Sequence, residues 1–160
     1  SSPSILVYSE WQNTPPGTVA VYIWRASSLE TYGRLYIYHA VDDSRGLCPS
    51  RWRVPTDGEW TVMNDYLGGK SEAGGKMKTT YGWSQDSNGT NSSGFSGLPG
   101  GFRNYFGYFN YAGFNGYWWS SSPSGSYAWD RGLANSNEDV YRGYFSQRYG
   151  FSVRCVRDAE

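Results

Sequence analysis

The sequence predicts an α+β fold of small antiparallel sheets, one or two helices and long irregular loops. Three observations carry this. Short runs of β-branched and aromatic residues are broken by Gly and Pro, one segment holds a full set of helix-start signals, and residues 70–100 are rich in Gly and Ser. With 21 Gly, 15 Tyr, 8 Trp and 7 Phe in 160 residues, the core must be filled by rings more than by aliphatic side chains. That length fits a single domain over 1–160.

Taken in order, Ile5–Tyr8 and Val19–Trp24 read as strands separated by the turn Pro15-Pro16-Gly17. Leu35–Tyr38 reads as a strand or a short helix. The best helix follows Pro55: Thr56 is its N-cap, Glu59 completes a capping box, Trp60, Met63 and Leu67 share one face, and Gly68-Gly69 stops it. In 70–100, Gly74-Gly75, Ser87-Asn88-Gly89 and Pro99-Gly100-Gly101 read as turns, with Trp83, Phe95 and Leu98 plugging a long loop into the core. Phe151–Arg157 alternates as a terminal strand, with Arg154 and Arg157 facing out or pairing.

Charge and motifs exclude several functions. Lys+Arg and Asp+Glu each number 14, with no block of either sign, so nucleic acid is not expected as a partner. No apolar run reaches the length of a membrane span. The chain starts on Ser1 rather than Met, so the missing export signal carries no information on destination. The sole histidine, His39, has no nucleophile motif beside it. Asp42-Asp43 lacks EF-hand spacing, and HExxH, GxGxxG and P-loop sequences are absent, so neither cofactor nor metal is expected. Acid pairs drawn from Asp57, Glu59, Asp130 and Asp139 have no supporting spacing, and the chain does not read as an enzyme. Cys48 and Cys155 lie far apart with no CxxC or histidine cluster. A disulfide is the preferred reading and two reduced, buried thiols the alternative.

The last third is the most informative. Seventeen of the 60 residues in 101–160 are aromatic and none is Lys. Trp118, Trp119 and Trp129 are expected in the core. Several Tyr and Phe side chains, set among Gly, Ser and Asn, are expected at the surface, where such chemistry gives rigid amphipathic contact area at low entropic cost. A carbohydrate could stack on the same rings, and a buried aromatic lattice is the bland alternative.

Several motifs, in order, resemble the Fibrobacter succinogenes major paralogous domain: Tyr32-Gly33-Arg34-Leu35-Tyr36, Gly46-Leu47-Cys48-Pro49, Trp52–Trp60, Asp65–Gly69, Ala73–Lys78, Gly94–Gly101, Tyr117–Ser121 and Gly150–Asp158. The likeness covers roughly 31–158, with 1–30 matching poorly. It implies a C-type-lectin-like fold, related to that of the formylglycine-generating enzyme. It further implies a secreted or cell-surface location, often as a lipoprotein-anchored module, with phage display as an alternative. The enzyme's neighbouring cysteine pair and the calcium–sugar motifs of true C-type lectins are absent, so neither oxidase nor calcium-dependent lectin chemistry is expected to carry over.

Residues 103–149 are similar to the variable region of a protein diversified by a retroelement, which rewrites a template at adenines. An AAC asparagine codon altered in this way encodes Tyr, Phe, Ser, Gly, Ala and Asp, but not Trp, Lys, Glu, Gln or Met. The resemblance implies that Tyr105, Phe106, Tyr108, Tyr111, Phe114, Tyr117, Tyr127, Asp130, Gly132, Ala134, Ser136, Asp139, Tyr141, Gly143, Tyr144, Phe145, Ser146 and Tyr149 form the ligand-binding set. Trp118, Trp119, Trp129, Glu138 and Gln147 would be fixed scaffold; ordinary drift is the alternative. The implied partner is a protein or cell-surface molecule, with a glycan as runner-up and a purely structural module third.

Overall fold

The computed structural model describes residues 19–21 and 26–158. The predicted strand Ile5–Tyr8 lies outside them, and of Val19–Trp24 only β1 (Val19–Val21) lies within. It pairs antiparallel with β2 (Arg34–Tyr36), and α1 (Ala26–Tyr32) bridges the two. The ambiguous segment Leu35–Tyr38 divides: β2 ends at Tyr36, and α2 (Tyr38–Val41) begins two residues later. Helix α3 (Asp57–Tyr66) forms where its signals place it. Thr56 Oγ1 accepts the Glu59 N–H at 3.2 Å, and Glu59 Oε2 accepts the Thr56 N–H at 2.8 Å, so two N-terminal donors are satisfied reciprocally. Gly68, at φ 109°, ends it as only glycine does without strain.

Gly74-Gly75 is not a turn but part of a helix, α4 (Ala73–Met77). The glycines are there for proximity. A β-carbon on Gly74 would lie 2.4 Å from the Glu138 carbonyl oxygen, the atom that accepts the Gly74 N–H. Trp83 and Phe95 are buried as expected, while Leu98 is half-buried.

A small pair, β3 (Phe102–Arg103) with β4 (Phe109–Asn110), precedes the principal sheet. That sheet is an antiparallel meander of β5 (Asn115–Ser124), β6 (Tyr127–Ala134) and β7 (Val140–Ser146). Gly125, at φ 62°, makes the β5–β6 turn. Strand alternation sorts side chains between two faces. On the back, Trp118, Leu133 and Val140 pack with Trp60, Met77, Trp83 and Phe95 beneath α3 and α4. On the front, Trp119 and Ala128 pack with Tyr38 and Phe151.

Two sequence expectations fail here. Among the described residues the terminal segment makes only isolated bridges, through Gly150, Phe151, Ser152 and Val156 to four separate places, so it is a seam and not a strand. Trp129 is half-exposed: its face of β6 runs beyond the helices, and the Arg142 guanidinium covers it at 3.6 Å. The disulfide is present, joining Cys48 to Cys155 across 107 residues. No helix among the described residues is long and apolar enough to cross a membrane.

Candidate ligand-binding face

The front of the principal sheet carries a cavity of about 470 Å³. Its position follows from register. Tyr117 on β5 pairs with Gly132 on β6, which pairs with Tyr141 on β7; one step along, Trp119 is in register with Asp130, and Asp130 with Gly143. The glycines hold the space open: a β-carbon on Gly132 would stand 3.3 Å from the Tyr117 ring, and one on Gly143 only 2.8 Å from Asp130 Oδ1. Tyr117, Asp130, Gly132, Ala134, Tyr141, Gly143 and Phe145, all from the predicted set, line the cavity together with Asn115, Leu133 and Arg142.

Hydrogen bonds fix the two tyrosines at its rim. Asn115 Nδ2 donates to the Tyr117 hydroxyl at 2.8 Å, and Asn137 Nδ2 to the Tyr141 hydroxyl at 2.5 Å. The Lys70 ammonium sits 5.9 Å from the Tyr141 ring centroid. Asp130 is nearly fully enclosed, and its Oδ1 meets no hydrogen-bond donor among the described residues. Burial therefore pushes its pKa up to about 7, only partly offset by the Arg131 charge and nearby backbone amides. Between about pH 4 and about pH 7 the folded chain keeps a proton that an unfolded aspartate releases, so this group's contribution to stability falls as pH rises through that window. Denaturant melts near pH 5 and near pH 8 should show this loss, and Asp130→Asn should flatten it.

Beyond the cavity the rings continue as one chain of contacts. Tyr117 and Phe145 are 6.2 Å apart, Phe145 and Tyr149 5.3 Å, Tyr149 and Tyr105 5.9 Å, and Tyr105 and Phe106 4.0 Å, centroid to centroid. Phe102 joins Tyr111 to this chain at 5.8 Å, and buried Phe151 lies beneath, stacked on Tyr117 at 5.2 Å. The sequence model of the Fibrobacter succinogenes major domain matches residues 5–157.

The chain belongs to that family. Its match reaches back to residue 5, so it takes in all but the first four residues of the N-terminal segment expected to match poorly. No curated protein and no solved structure matches the chain.

In this major-domain chain the predicted set does not all share one face. Tyr127 and Tyr144 are exposed, but they lie on the back of the sheet with Trp129, Tyr144 being 5.8 Å from Tyr127 and 5.2 Å from Trp129. Asp130 and Gly132 are buried, so they shape the cavity from within and do not offer surface. Tyr108, Phe114 and Ser136 are exposed, and Asp139 and Ser146 are half-exposed, all in or beside loops and strand ends. Nor is Asp57 a free acid: Arg131 and Arg142 hold its carboxylate, each at 2.7 Å. The sequence reading missed Asn115 and Phe102. Asn115 stands two positions before Tyr117 on a strand, a spacing that puts both on one face. Phe102, half-buried at the hub of the ring contacts, carries no comparable signal.

Proposed function

We propose that this major-domain chain is a ligand-recognition module that binds through the front of its principal sheet, at positions diversified by a retroelement. The observation that carries the reading is the cavity, most of whose lining comes from positions that an altered asparagine codon can fill, above a buried Trp119 that it cannot. Tyr111 adds to it. Its φ of 62° lies in the left-handed region, where asparagine is enriched and a bulky ring is an outlier, as expected if the ring stands where the template encodes Asn. Rigid rings around a small depression suit a protein or cell-surface ligand. The disulfide supports a secreted or surface-displayed location, and the C-type-lectin-like fold implied by the family resemblance goes with this reading. A glycan is the second reading, favoured by the Asn115 amide beside the cavity's tyrosine rings.

Comparing copies of the gene and its neighbouring repeat within one strain tests the diversification. Substitutions should fall on the front-face set and spare Trp118 and Trp119; changes scattered over those tryptophans would sink it. For binding, labelled domain is applied to intact bacterial cells and to a glycan array. Tyr117→Ala with Tyr141→Ala should weaken capture at least about tenfold, as interface hot spots do. Tyr144→Ala, on the back, should leave it unchanged. Equal loss from both would refute the front-face assignment.

A further inference from the structure

A second cleft, of about 360 Å³, lies between α3 and the C-terminal segment, and none of its lining residues belongs to the diversified set. Its walls are apolar, formed by Pro55, Trp60, Met63, Phe95 and Val156. Charged groups rim it, but not equivalently. Arg53 holds Glu59 at 2.6 Å and Asp158 at 2.9 Å, so both acids are already engaged. Arg157 lies 5.3 Å from the Trp52 ring. Arg154 differs: its guanidinium sits 4.5 Å from the Phe95 ring, and no carboxylate lies within ion-pair distance of it among the described residues. Burial pulls its pKa below the ordinary guanidinium value, the mark of a cation removed from water without a counter-ion. Trp60, on the same wall, has a buried Nε1–H with no acceptor among the described residues. A half-buried cation on an aromatic face, beside an apolar slot of this size, lacks an anion with a hydrocarbon body.

We propose that this cleft binds a small organic carboxylate, its anionic head on Arg154 and its apolar body against Trp60, Met63 and Val156. The site is independent of the diversified face and would be constant among copies that differ there. The probe is 3-phenylpropionate, titrated into the whole chain and compared with uncharged 3-phenylpropionamide, with the Trp60 indole and Arg154 side-chain resonances followed by NMR. The acid should shift both, and the amide should bind at least about tenfold more weakly, the loss expected for one charge-assisted contact. Arg154→Met, which keeps an apolar stem on Phe95, should reduce acid binding to the level of the amide, and Arg154→Lys should restore part of it. Equal binding of acid and amide, or no shift at Trp60 and Arg154 up to about 10 mM acid, overturns the proposal. The acid–amide comparison on the unaltered chain decides the matter even if Arg154→Met does not fold.

Discussion

Trp119→Ala is expected to destabilise the fold by about 3–5 kcal/mol, seen as a lower denaturant midpoint with little change in slope. The side chain is fully enclosed, and its Nε1–H donates to the Tyr36 carbonyl at 2.7 Å, tying β5 to β2. Its ring lies 4.3 Å from Phe151 and 5.7 Å from Tyr38. Removing it opens a cavity under Phe151, the ring on which Tyr117, Phe145 and Tyr149 rest, and takes one of two donors from the Tyr36 carbonyl, which keeps the Phe151 N–H. The front face should therefore loosen along with the core. Tyr141→Ala, at an exposed rim position, should change stability by no more than about 0.5 kcal/mol. Comparable losses from the two substitutions would show that Trp119 is not the support under this face.

Asp57→Ala should cost a similar amount, about 3–5 kcal/mol, for a different reason. Arg131 is nearly fully enclosed, and its guanidinium donates to the Asp57 carboxylate at 2.7 Å, to the Asp57 carbonyl at 3.0 Å and to Thr61 Oγ1 at 3.0 Å. Without the carboxylate that cation stays buried and unpaired, and exposed Arg142 loses its anchor. Replacing Arg131 and Asp57 together, by Met and Ala, should be milder than Asp57→Ala alone, because no orphan charge remains. Bonding to Arg142, and then to Arg131, holds the Asp57 carboxyl below the usual aspartate range. Its contribution is thus complete above that range and is lost only as pH falls through the lowered value. It opposes the Asp130 trend: the Asp57 contribution is lost toward acid pH, and the Asp130 contribution toward neutral pH.

Much of this architecture was legible in the sequence where local chemistry decides it. The Thr56–Glu59 reciprocity is a short-range rule, and α3 obeys it. Cys48 and Cys155 were the only two candidates for a bridge. Trp118 and Trp119, adjacent on a strand, had to point to opposite faces, and each found a core. What stayed hidden depends on distant partners. Gly74 looks like a turn until the Glu138 carbonyl is brought against it. Trp129 reads as core by hydrophobicity, yet the helices that would cover it stop short and Arg142 covers it instead. The aromatic set could be identified by composition, but its division between two faces required the β6–β7 register.

The covalent link between Cys48 and Cys155 has a mechanical consequence. A load applied near the two ends of the described chain is carried across the sulfur bridge, because the 107-residue span between the cysteines is closed into a loop. Pulling can strip β1 and β2 from the seam at Phe151 and can peel away Val156, Arg157 and Asp158, which line the second cleft beyond Cys155, but it cannot draw out the three-stranded meander or the front cavity. The closed loop would hold the sheet under load for as long as its surroundings stay oxidising, and reduction would turn the same tug into complete unravelling.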